Sequence, residues 1–169
     1  MNLVEAKLVR DDGTAIVFGD HKVPIPAEVL QQHRGLEDYI GRNVIVGIRP
    51  SDFEDAAFLQ EQGLPVIKAD VTIAEELGSE VNVIFPINSR PVQHDVMLAK
   101  FDKQAQEADE TEALTAEEGQ SLWTARVNPK TQARAGRTIE LAVDVNQLHY
   151  FDRDSGQAIS KSQGAPSPN

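Results

Sequence analysis

The chain has 169 residues, no cysteine and a formal net charge of −11, with 16 Lys plus Arg against 27 Asp plus Glu. That length suits one domain or two small subdomains sharing a core, and the lack of cysteine excludes a disulfide framework, a thiolate nucleophile and a Cys-type zinc site. An acidic surface repels phosphate backbones and anionic lipid, so neither nucleic-acid binding nor direct membrane insertion is expected, and no stretch approaches the roughly 20 apolar residues of a membrane span.

At the N-terminus Val4, Ala6 and Leu8 alternate with Glu5 and Lys7. This is the period of a half-buried strand and not the pattern of a signal peptide, so a soluble, unexported protein is expected. Asp11, Asp12 and Gly13 supply a turn, and Thr14 to Phe18 reads as the returning strand. Pro26 to Arg34 reads as a short helix, with proline in its first turn and Gly35 beyond its end. Val44, Val46 and Ile48 mark another strand before Arg49 and Pro50. Ser51 and Glu54 stand at capping-box spacing, so a second helix is expected over Ser51 to Gln62, closed by Gly63.

Val71 and Ile73 fall in a further strand. Glu80 to Ile87 alternates cleanly, with Val81, Val83, Phe85 and Ile87 on one face. No basic residue occurs between Lys103 and Arg126, and the window holds Glu107, Asp109, Glu110, Glu112, Glu117 and Glu118. The stretch 104–120 therefore reads as an exposed acidic excursion. Ser121 to Val127 places Trp123, Ala125 and Val127 on one face, and Arg137 to Val145 places Ile139, Leu141, Val143 and Val145 together. The tail from Ser160 to Asn169 is small, polar and proline-bearing, which predicts disorder. Many short strands with few helices predict an antiparallel barrel or sandwich over residues 1–159.

The chemistry-bearing motifs are mostly absent. The sequence contains no G-x-x-x-x-G-K-[ST] phosphate loop, no G-x-G-x-x-G and no G-x-S-x-G. His21, His33, His94 and His149 are scattered, and none has the helical i, i+4 partner that a metal site uses. No catalytic, cofactor or metal residues are therefore assigned. The adjacent Glu75 and Glu76 would point to opposite faces of a strand, so they read as a solvated strand end before Gly78 and not as an acid/base pair. Arg126, Lys130, Arg134 and Arg137 form the one basic cluster; it reads either as a contact for an anionic ligand or an acidic partner, or as a solvated hairpin connection around Asn128 and Pro129. Trp123, alone of its kind, could stack on a sugar or a base, but its place in an alternating strand favours the core.

Three segments carry a resemblance. The first is Gly47-Ile48-Arg49-Pro50-Ser51-Asp52-Phe53, the second Glu75-Glu76-Leu77-Gly78-Ser79-Glu80. The third runs from Thr124 to Ile159 through Ala135-Gly136, Ile139-Glu140-Leu141, Leu148-His149-Tyr150-Phe151-Asp152 and Ser155-Gly156-Gln157-Ala158-Ile159. In this order and spacing the chain, all but its tail, resembles the C-terminal regulatory domain (OB-like, TOBE) of ABC importer ATPases of the maltose, multiple-sugar and glycerol-phosphate group. Met1-Asn2 looks like the point where that family's chain leaves the ATPase domain.

The resemblance implies an oligonucleotide-binding-type antiparallel β-barrel elaborated with extra strands and two or three short helices, without implying nucleic-acid binding. It implies a module that forms a homodimer, works beside an ATPase domain and membrane subunits, and in some branches receives a regulatory protein. It would carry partner contact onto Gly136, Phe151 and Asp152, with core packing the other reading of Phe151. A rival reading is a sensor of a small oxyanion or sugar phosphate at the basic cluster. The chain departs from the family in lacking the ATPase half, and its acidic excursion is longer than in enteric members, resembling the actinobacterial branch.

Overall fold

The computed structural model describes residues 1–59, 63–92 and 119–159. Most of the acidic stretch (104–118), His94 and the tail 160–169 lie outside the described residues. The described chain is mainly β and antiparallel throughout, in three sheets.

The first sheet has the order β11-β4-β1-β2-β3. β1 (Asn2–Asp11) turns at Asp12 into β2 (Gly13–Phe18), and β3 (His21–Ile25) returns beside it. β4 (Asn43–Ile48) pairs with the other edge of β1, Val4 opposite Val46, and β11 (His149–Phe151) pairs with β4, Tyr150 opposite Val46. The alternation read from β1 holds: Val4, Ala6 and Leu8 are buried, with Lys7 exposed between them. Between β3 and β4 runs the helix α1 (Ala27–Gln32), Pro26 at its N-cap, followed by a 3-10 turn at Leu36–Tyr39.

The second sheet, β5-β10-β6, joins β5 (Phe53–Asp55), β6 (Val66–Asp70) and β10 (Thr138–Val143); the third, β7-β8-β9, joins β7 (Ile73–Glu76), β8 (Val81–Ile87) and β9 (Ser121–Val127). One apolar core lies between the sheets. Its centre is Trp123, 1% exposed, with Phe18 at 5.4 Å, Phe53 at 6.2 Å and Phe85 at 6.3 Å between ring centroids. These rings come from all three sheets, so the single tryptophan is the packing point that holds the sheets as one body.

Three expectations are corrected. No helix starts at Ser51: Pro50–Asp52 is a 3-10 turn, Phe53–Asp55 is a strand on β10, and Ala56–Phe58 is a second 3-10 turn. The capping box fails because Glu54 is used elsewhere. Its Oε1 accepts the N–H groups of Asp55 and Asn128, and Asp55 caps the following turn by accepting the Ala57 N–H. Tertiary pairing here outweighs local helical signal. Val71 lies between two strands, its N–H given to the Arg137 carbonyl at 2.7 Å. Val145 has left β10 for a 3-10 turn at Val145–Gln147, and Leu141, Ala142 and Val143 are all buried, so the alternation stops in the second half of this central strand, whereas Thr138 and Glu140 in its first half are exposed.

Candidate functional site

Two surfaces gather the residues singled out in the sequence. The first is the loop after β11. Asp152 is its anchor: one carboxylate oxygen accepts the Tyr39 hydroxyl at 2.5 Å, and the other accepts the N–H groups of Asp154 (2.9 Å) and Ser155 (2.8 Å). Tyr39 arrives from the 3-10 turn after α1, with the Arg42 guanidinium 5.3 Å from its ring centroid. The Tyr39 hydroxyl, joined by these backbone donors, holds the Asp152 carboxyl well below its ordinary value, at about 2. The same hydrogen bond raises the Tyr39 phenol, since losing its proton beside a carboxylate is unfavourable. Arg153 pairs with Glu5 at 2.8 Å, tying the loop to β1.

Phe151, next to Asp152, is only 6% exposed. It lies with Ile45 in a small apolar cluster, with Leu3 and Val92 packed against it, separate from the main core. Its neighbour Tyr150 faces the main core, edge-on to the His33 ring at 4.9 Å, and burial pushes its phenol upward.

The second surface is the connection from β9 to β10. Thr131 Oγ1 donates to Asp55 Oδ2 at 2.5 Å, and the Ala133 N–H donates back to that hydroxyl at 3.2 Å. Gly136 is exposed at the far end, with φ +86°, and gives its N–H to the Val71 carbonyl at 2.9 Å. A Cβ placed there would meet nothing within 4 Å, so the turn requires glycine for its left-handed backbone and not for space. Gly136 therefore sits on the β9–β10 connection, whereas Phe151 and Asp152 belong to the outer strand of the first sheet and the loop that follows it.

The four cations of the basic cluster are all exposed. Arg126 pairs with Glu80 at 3.9 Å across the third sheet. Arg134 alone of the four lines a groove of about 330 Å³, with Thr131 and Ala133 on its own side and Thr72, Ala74 and Glu76 of the β7 segment opposite. Glu75 and Glu76 end β7 in solvent. Among the described residues no group of His, Cys, Asp and Glu has the arrangement of a metal site, and no helix is long and apolar enough to cross a membrane.

The sequence reading missed Tyr39, Thr131 and Asn2 as organising residues. Only the polar run Asp152 to Gly156 carried a local signal, the spacing of an Asx turn. The other partners lie far away in the chain.

Residues 1–53 match the family described as the MalK OB fold domain. Over 164 residues the chain is 29% identical to the trehalose/maltose import ATP-binding protein MalK of Thermococcus litoralis, covering 94% of this chain and 34% of that protein. It is 33% identical over 164 residues to the trehalose import ATP-binding protein SugC of Mycobacterium tuberculosis, covering 95% of this chain and 38% of the relative. With the oligosaccharides import ATP-binding protein MsmX of Bacillus subtilis it shares 26% identity over 156 residues, 92% of this chain and 33% of that one. The chain thus spans between 33% and 38% of the length of these curated relatives. Over nearly its whole length the chain is thus similar to part of the ATP-binding proteins of sugar importers, and its first 53 residues to an OB fold domain.

Proposed function

We propose that residues 1–159 are the regulatory and dimerisation domain of the ATP-binding subunit of an ABC-type sugar importer, with 160–169 as an appended tail. In this reading two copies associate, at the cytoplasmic face of the membrane, beside the ATPase domains and the transporter's membrane subunits, and a regulatory protein docks on the exposed loops. The domain itself turns over no nucleotide and acts through shape and surface. The observation that carries this is the similarity over 92% to 95% of the chain to proteins named for sugar import and ATP binding. Gly136 and the Phe151–Asp152 corner are the contacts to test. Sedimentation velocity over a range of concentrations is the measurement: reversible dimerisation supports the reading, and a strict monomer at all concentrations would overturn self-association of this domain.

One observation favours a second reading. Arg134 lines a groove together with the Thr131 segment, which suits a sensor of a small oxyanion or sugar phosphate. A ligand of the folded state raises the melting temperature by mass action. No thermal shift with inorganic phosphate, glycerol phosphate or simple sugars would remove the sensor.

A further inference from the structure

β7 is the outermost strand of its sheet, and among the described residues no strand pairs with its other edge. At the β7–β8 turn the Leu77 N–H donates to the Glu80 carbonyl at 2.9 Å. The register then places Glu75 opposite Asn82 and Ile73 opposite Ile84. In an antiparallel ladder alternate residues turn their backbone groups inward and outward, so Ala74 and Glu76 direct N–H and C=O away from β8. Just upstream this edge is occupied: Val71 exchanges hydrogen bonds with Gly136 and Arg137. Beyond Val71 the two segments part, and the wedge between them is the groove of about 330 Å³. Its far wall is preset, with Thr131 tied to Asp55, Ala133 3% exposed, and the Arg137 N–H given to the Arg134 carbonyl at 2.9 Å.

Charge says what fits. Glu75 and Glu76 are exposed and make no ion pair among the described residues, in a chain of net charge −11. Leu77, at the end of the strand, is 52% exposed.

We propose that the wedge is a strand-addition site for an extended segment of a partner protein in which basic residues alternate with small apolar ones. About three residues, at roughly 3.3 Å each, span the outward groups of Ala74 to Glu76. The segment's backbone pairs with those groups, its small side chains lie over Ala74 and Val81, and its Lys or Arg side chains lie on the face of Glu75. Arg134, on the far wall, carries only donors and faces the second row of carbonyls that an added strand exposes. A second copy of this chain is a poorer occupant. Antiparallel pairing of β7 with itself, Ala74 bonded to Glu76, sets Glu75 directly opposite its counterpart, and like charges across a ladder destabilise it. The inference rests on the edge of β7 and the wall that faces it, and stands independently of the importer reading.

The test uses the 169-residue chain, labelled with ¹⁵N, and an octapeptide alternating lysine and valine, with an alternating glutamate and valine octapeptide as control. The expected result is saturable binding of the lysine peptide at 1:1, with shifts and slowed exchange at the Ala74 and Glu76 amides. Glu75→Lys, an exposed substitution, is expected to leave the melting temperature unchanged and weaken binding by about tenfold. No binding at millimolar peptide overturns the proposal, as does binding that leaves Ala74 and Glu76 unmoved. Tighter binding of the glutamate peptide overturns its charge assignment, and association of two copies through β7 overturns its choice of occupant.

Discussion

The Asn2 carboxamide grips the backbone of Thr124 from both sides: Asn2 Nδ2 donates to the Thr124 carbonyl at 2.9 Å, and the Thr124 N–H donates to Asn2 Oδ1 at 2.9 Å. The same Nδ2 donates to the Ile48 carbonyl at 3.0 Å, across from Asn2 in the β1–β4 ladder. One side chain thus imitates a strand's hydrogen-bonding edge and joins the first sheet to the third. Asn2→Ala leaves these buried backbone groups unpaired and should cost about 1–3 kcal/mol in denaturant unfolding. Asn2→Asp should cost at least as much at neutral pH, because a carboxylate oxygen then faces two carbonyl oxygens. An unchanged midpoint for both would refute the clasp.

The Tyr39–Asp152 pair fixes the loop that follows β11. Tyr39→Phe removes the first cause of the depressed Asp152 carboxyl, whose value should rise from about 2 towards the ordinary 3.8. A carbon-detected NMR titration of Asp152 reads this directly. The linked stability has a defined window. With a folded value below the unfolded one, the contribution is complete above about pH 4 and is lost as the pH falls towards about 2. The melting-temperature difference between the wild type and Tyr39→Phe should shrink across that window.

Asp52 behaves oppositely. Burial raises its carboxyl and nearby Asp144 adds to this, against Arg49 and His149, while its Oδ2 is buried with no hydrogen-bond partner. A carboxyl raised on folding is destabilising above its folded value and neutral below its unfolded one. Asp52→Asn should therefore raise the melting temperature at pH 7, with the gain vanishing as the pH falls through the carboxylate range. A gain that persists at pH 3 would mean that packing, not charge, is responsible.

Gly136 tests the turn that starts β10. With φ at +86° and open space around the Cβ position, Gly136→Ala should cost about 1 kcal/mol from backbone strain alone. Gly136→Asn should cost less, because Asn tolerates the left-handed region. If both variants fold and sediment as the wild type does, Gly136 serves the turn and not an interface.

Much of the fold was legible because half-buried strands write their period into the chain. Val4, Ala6 and Leu8 in β1, Val81, Val83 and Phe85 in β8, and Trp123 and Ala125 in β9 are buried as their alternation predicts. The short strands were not legible. β3, β5 and β11 run five, three and three residues, too short for a period to stand out, and they exist because longer neighbours offer an edge. The Ser51 capping signal was misleading for the same reason, since Phe53 to Asp55 gains more by pairing with β10.

The sequence by itself determined composition and pattern: an acidic, cysteine-free, strand-rich chain whose ordered motifs resemble one importer family, and whose single tryptophan belongs to the core. Only the tertiary structure decided which carbonyls Asn2 would hold, that Tyr39 would answer Asp152 from 113 residues away, and that Arg134 would line a groove while Arg126 turned to Glu80. The reason is physical. Side-chain periodicity is a property of neighbours in sequence, whereas a hydrogen bond or an ion pair is a property of neighbours in space, and in an antiparallel fold of three sheets those neighbours come from distant strands.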